Sequence, residues 1–178
     1  MALQEIMNRR GNVIFSVEAE SFKEAVEIAV SQKVDLTGAD FSGANLCGVK
    51  LIGANLRGAD FSGANLCAAN LCGADFCGAK FCGANLIGVK LIGANLFKAK
   101  LWRANLSEVF LSGCEFDAGI FDASFSTSLS LEVFSRMTIR DLNDRTILAE
   151  SFTKALREIV NSSESFTKAF REVVGSVA

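Results

Sequence analysis

Cysteine is the residue type in this chain best equipped for chemistry. Four of the six cysteines, Cys67, Cys72, Cys77 and Cys82, recur at intervals of five, with Cys47 and Cys114 standing apart. On paper such a run suggests a thiolate metal cluster or a redox site. The other usual machinery is missing. There is no His, the commonest general base and metal ligand near neutral pH. No nucleophile stands beside a base in the pattern, and no phosphate-binding loop is evident. The sequence therefore predicts no enzyme, with no catalytic residue and no cofactor.

The interval of five extends far beyond the cysteines. From Val34 to Ala123 every fifth residue is Leu or Phe, eighteen times without exception, from Leu36 to Phe121. Two residues before each stands a small residue: twelve Ala, four Val, then Cys114 and Gly119. A period of five fits neither a helix nor a flat strand, and a sustained fixed period signals a repeat architecture. The unit reads Ala-(Asp/Asn)-(Leu/Phe)-x-Gly, as in Ala39-Asp40-Phe41-Ser42-Gly43 and Ala44-Asn45-Leu46-Cys47-Gly48.

These eighteen in-register pentads resemble the pentapeptide-repeat protein family. The resemblance implies an all-β solenoid: a right-handed quadrilateral β-helix of about four to five coils. Each pentad would form one side and each coil about 20 residues, at the usual strand spacing of about 4.8 Å. The large central residue and the preceding small one would point inward. Phe41, Phe61, Phe81, Leu101 and Phe121 would then stack as one interior ladder, and Leu46, Leu66, Leu86 and Leu106 as the next. Asn45, Asn65, Asn85 and Asn105 would share a column and bond through their amides. On such a scaffold successive cysteines face different sides, so they cannot share one tetrahedral ion, and no metal site is expected. Cys47 and Cys67 alone stack. Parallel side chains would hold their Cβ atoms beyond the preferred separation of about 3.8 Å, so the expectation is free thiols. Cys114, at an inward position, reads as core.

The outward positions carry the candidate partner site. Cys47, Cys67 and Ile87 form one external column, and Ile52, Cys72 and Ile92 the next. Contiguous exposed apolar surface marks an interaction site. The pentads from Phe97 to Phe110 depart from consensus. Lys98, Arg103 and Glu108 replace the corner Gly, while Phe97 and Trp102 point outward around Lys100. Aromatic and Arg residues are the usual anchors of protein interfaces. The alternative is that these aromatics are a shelf for the chain's own tail. Asp40, Asp60, Lys80 and Lys100 share a charged column, read as solvated.

The flanks differ in kind. Val13, Phe15 and Val17 alternate as a strand. Ser21 and Glu24 fit a capping box opening a helix, with Phe22, Ala25, Val26, Ala29 and Val30 on its apolar face. Residues 1–33 thus read as an N-terminal strand-helix cap, 34–125 as the β-helix, and 126–178 as a loop followed by amphipathic helices. In this tail ESFTKALREIVNSS recurs 14 residues later as ESFTKAFREVVGSV. Phe152, Leu156, Ile159, Phe166, Phe170 and Val173 fall on one stripe, suited to capping the last coil or to homodimerisation.

Composition bounds the partners. Net charge is -2. The repeat carries 8 acidic and 7 basic side chains, the tail 7 of each. Neither nucleic acid nor membrane is the expected partner. The start has no apolar leader pattern and no stretch is long enough to span a bilayer, so cytoplasmic localisation is expected. The primary expectation is a rigid, non-enzymatic rod that recognises an unknown protein partner. The family resemblance implies two alternatives: a DNA-mimicking modulator of DNA gyrase, which the balanced charge opposes, and a cytosolic regulator of cyanobacterial type.

Overall fold

The computed structural model describes residues 1–106, 108–117, 138–140 and 146–147. Its body is a four-sided solenoid, and the pentad explains each side. The central Leu or Phe turns inward and its carbonyl accepts the N–H three residues on, as from Ala39 to Leu36 at 3.1 Å and from Ala64 to Phe61 at 3.0 Å. The corner residue between them sits at positive φ, 69° at Gly38 and 68° at Gly63. That is a type II turn, whose third residue favours Gly.

The chain returns to the same side every 20 residues. Asp40 bridges Asp60, Asp60 bridges Lys80 and Lys80 bridges Lys100, all in parallel, with matching ladders at the other three corners. Each side binds its neighbour through backbone bonds such as Leu46 N–H to Asn65 carbonyl at 2.8 Å and Asn65 N–H to Ala44 carbonyl at 2.9 Å. Cys47 and Cys67 lie 4.8 Å apart at Cα, the ordinary strand spacing. Side one carries Leu36, Leu56, Phe76 and Leu96; side two carries Phe41, Phe61, Phe81 and Leu101. Sides three and four begin at Leu46 and Leu51.

These central residues and the small residues before them fill one continuous core. The Phe41 and Phe61 rings stack with centroids 4.8 Å apart, and Phe61 and Phe81 at 5.1 Å. Phe76, on side one, meets Phe61 and Phe81 edge to face. These are the favoured geometries of aromatic pairs.

The Asp or Asn before each central residue has two tasks. Its side-chain oxygen accepts the N–H two residues on: Ser42 to Asp40 at 3.0 Å, Cys77 to Asp75 at 2.9 Å, Phe97 to Asn95 at 3.0 Å. This Asx turn satisfies a backbone donor that faces away from the ladder. The amides also link levels, with Asn65 donating to Asn45 at 3.3 Å and Asn85 to Asn65 at 3.1 Å.

Four corners carry a side chain at positive φ: Ala68 at 54°, Lys98 at 57°, Arg103 at 59° and Glu108 at 59°. An L-residue there costs about 1–2 kcal/mol, and Gly returns roughly half of that as chain entropy. Ala68→Gly is therefore expected to stabilise the chain by about 0.5–1 kcal/mol. A rise in the thermal midpoint checks this; an unchanged or lower midpoint contradicts it.

The N-terminal segment holds two strands. β1 (Ala2–Met7) pairs antiparallel with β2 (Val13–Ala19). The pattern of the first ten residues gave no sign of β1, whose single fully buried residue is Ile6. Val13 is exposed while Ile14 and Phe15 pack on the core, beside a register shift at Ile6 and Met7. α1 (Phe22–Ser31) is capped by Ser21, whose hydroxyl accepts the Glu24 N–H at 3.2 Å. The Glu24 carboxylate reaches back to the Glu20 N–H at 2.7 Å. α1 buries Ala25, Val26 and Ala29, and Phe22 lies 6.2 Å from Phe41. The Asp40 N–H donates to the Met7 carbonyl, and the Lys50 N–H to the Glu27 carboxylate. Upper-edge donors of the solenoid are thus satisfied by the segment above.

At the other end β3 (Glu115–Asp117) pairs in parallel with β4 (Thr138–Arg140), and β4 antiparallel with β5 (Thr146–Ile147). The sequence reading placed no strand beyond residue 125. The stripe Phe152, Leu156, Ile159, Phe166, Phe170 and Val173 lies outside the described residues.

Candidate interaction surface

Because every pentad has the same phase, the residue after each central position points out from a flat side. The rod's function must therefore be sought on its outer columns. On side four Ile52 and Ile92 are exposed with Cys72 partly covered between them; on side three Ile87 is also exposed. An open groove of about 600 Å³ runs between the end of α1 and side four, where Val30, Val34 and Ile52 meet Asp35 and Asn55.

Phe97 and Trp102 occupy the outward positions of sides one and two on one level. Trp102 is 54% exposed and Phe97 is half-buried. Each ring holds the cation that follows it. The Arg103 guanidinium lies 4.8 Å from the Trp102 ring centre and the Lys98 ammonium 5.2 Å from that of Phe97, both within cation–π range. Neighbouring residues on a straight strand would point apart. Here the left-handed corner folds the second side chain back over the first. Phe110, also 54% exposed, stands at the corner between sides three and four, one level below Lys90. The sequence reading names it, with Phe97 and Trp102, only as part of the alternative shelf for the tail; Phe in an Asx position is its signal.

The charged column is not uniformly solvated. Asp60 is buried, with Arg9 at 3.2 Å and Lys80 at 3.6 Å. Burial would raise its pKa, but hydrogen bonds from Ser62 and the charges of Lys80 and Arg9 outweigh burial and leave it lowered. Asp60 thus ties the β1–β2 loop to two levels of the solenoid. On the neighbouring side Arg57 pairs with Asp75 at 3.0 Å.

The cysteines divide by position. Contrary to the expectation of free thiols, Cys47 and Cys67 form a disulfide across two levels of side three. Their Cα separation of 4.8 Å lies within the allowed range, and rotation about the side chains brings the sulfurs together although the backbones run parallel. Cys72, Cys77 and Cys82 are free and partly covered on three different sides. Among the described residues no group of His, Cys, Asp or Glu is placed to hold a metal. Cys114 is buried, its thiol donating to the Leu91 carbonyl. Burial pushes its pKa up to about 12, so it remains an inert core thiol.

No match to a curated protein accompanies this chain. It is similar to alr5209 from Nostoc Pcc 7120, a pentapeptide repeat protein, at 31% identity over 65% of this chain and 92% of that one, with a TM-score of 0.56. It is also similar to Rfr23 from the cyanobacterium Cyanothece 51142, at 36% identity over 48% of this chain, with a TM-score of 0.47. QnrB1, a plasmid-mediated fluoroquinolone resistance protein, aligns at 26% identity over 44% of this chain, with a TM-score of 0.27. The chain spans 58% of Rfr23 and 50% of QnrB1, so the fold likeness rests on alr5209. The family described as Pentapeptide repeats matches in 8 copies, over residues 32–66, 59–96 and 94–122, just over half of the chain. With its five-residue phase, 20-residue return and inward Leu/Phe ladders, the chain belongs to the pentapeptide repeat family, whose fold is the right-handed quadrilateral β-helix.

Proposed function

We propose that this chain is a non-enzymatic interaction module, a rigid repeat rod of four to five coils that recognises a partner protein through its outer sides. The observation that carries this reading is Trp102, a large aromatic 54% exposed on a flat side and pinned by Arg103. Exposed aromatic and Arg residues on a rigid scaffold are what interfaces use as anchors. Phe97, Lys98 and Lys100 complete that region, and Ile52, Cys72, Ile87 and Ile92 form a second apolar surface on the same rod. The segment β1–β2–α1 serves as the N-terminal cap, and the C-terminal helices serve as a cap, a homodimer contact or both. We place the protein in the cytoplasm.

A gyrase-directed DNA mimic needs a strongly acidic rod. The lower levels here carry Lys80, Lys90, Lys98, Lys100 and Arg103 and no carboxylate between residues 76 and 106, which opposes that reading. A regulatory role of cyanobacterial type rests on the family resemblance alone and has no residue of its own to test. The experiment is a quantitative co-purification of the full chain and its Trp102→Ala variant from the same host. The expected result is one protein retained in stoichiometric amount by the wild type and reduced tenfold or more by the variant, a loss of about 1.4 kcal/mol or more. Identical co-purifying sets would reject the site.

A further inference from the structure

Side two and its two corners gather basic side chains on the levels between residues 76 and 106. Lys80 and Lys100 are bridged neighbours on the corner leading into side two, and Lys98 lies on the same corner. Arg103 marks the corner leading out of it. The flanking positions opposite are Asn85 and Asn105, which are neutral. The segment 76–106 contains five Lys or Arg and no Asp or Glu. In the column of Lys80 and Lys100 the nearest carboxylate is Asp60, one level above Lys80 and already engaged with Lys80 and Arg9, while Asp117 stands one level below Phe97 on side one. The carboxylates of Glu108 and Glu115 belong to the corners on the far edges of sides three and four.

We infer that this corner and side two, around Lys100, Trp102 and Arg103, bind an acidic, carboxylate-bearing peptide segment of the partner protein. The inference rests on the interaction-module reading and deepens it. Charge complementarity selects the anionic class, and ring geometry selects within it. A single-stranded nucleic acid would use the aromatic faces as stacking platforms. Here Arg103 lies over the Trp102 ring and Lys98 over the Phe97 ring, so those platforms are taken. A guanidinium held over an indole by its cation–π contact still has N–H donors to offer outward, and such a fork suits bidentate pairing with a carboxylate. The rigid rod adds preorganisation, since neither group must be ordered on binding.

The test uses the full chain and fluorescein-labelled octaglutamate, read by anisotropy, with Trp102 emission as a second signal because Trp102 is the sole tryptophan. Saturable binding is expected, with a concurrent change in Trp102 emission and weakening as salt rises. The double variant Lys100→Glu/Arg103→Glu is expected to bind at least about tenfold more weakly. Its unfolding midpoint, checked alongside, separates a lost site from a lost fold. The milder Lys100→Gln variant is expected to show an intermediate affinity.

Three results would overturn the inference. The first is binding no tighter than that of octaglutamine. The second is tighter binding of an oligothymidylate of equal length. The third is co-sedimentation with phosphatidylserine vesicles that exceeds the peptide affinity. The broader reading is separable. If Trp102→Ala loses the co-purifying protein while the charge-reversed variant keeps it, the module stands and the acidic partner does not. If neither variant loses it, both readings fall.

Discussion

Phe61→Ala is expected to destabilise the protein by about 3–5 kcal/mol, the usual loss for a buried Phe. Phe61 is fully buried. It stacks on Phe41 above and Phe81 below and meets Phe76 edge to face. The cavity left by Ala cannot collapse, because backbone ladders fix both neighbouring levels at strand spacing. Phe61→Leu is the control. Leu101 fills the same column one level below Phe81, so Leu suits this environment and should cost well under half as much. Denaturant unfolding of the two variants measures both. Equally small losses would mean that the column tolerates a void and that aromatic stacking contributes little; equally large ones would mean that Leu cannot replace the ring.

Cys67→Ser is expected to lower stability by about 3 kcal/mol when wild type and variant are compared without reductant. The disulfide spans 20 residues, and a cross-link of that length restricts the unfolded chain by about this amount. With dithiothreitol present the difference should nearly vanish, since the wild type then loses the link too. Cys72→Ser, on the neighbouring side, should change neither value. Guanidinium midpoints for the three proteins, with and without reductant, check the prediction. A wild-type midpoint insensitive to reductant would contradict it.

The solenoid was legible because its signal is phase, and phase survives without any contact information. Leu36 to Leu111 keep the five-residue beat, and each is buried. The Asn columns were legible as amide ladders, but their Asx turns were missed, although Asn three residues before the corner Gly is their signature. The Cys47–Cys67 link was missed for a physical reason. Treating stacked side chains as parallel rods ignores rotation about the Cα–Cβ bond, which is what brings the sulfurs together. The pinned pairs Phe97–Lys98 and Trp102–Arg103 were equally hidden, because adjacent residues meet only when the corner adopts positive φ with a side chain in place. β1 escaped because only Ile6 of its six residues is buried, so no alternation is visible. The solvated reading of Asp60 failed because Arg9 approaches from a segment 51 positions away in sequence. A column read from the repeat alone cannot contain that partner.

The central claim is that side two stands open to a partner, and the sole tryptophan tests it directly. Acrylamide quenching of Trp102 emission in the full chain should approach that of a free indole in water, with a correspondingly red emission. That result leaves Trp102 and Arg103 presented as the structure places them. A blue, shielded emission that becomes quenchable only on denaturation would mean that the chain's own tail covers this side, and the partner site proposed there would have to be abandoned.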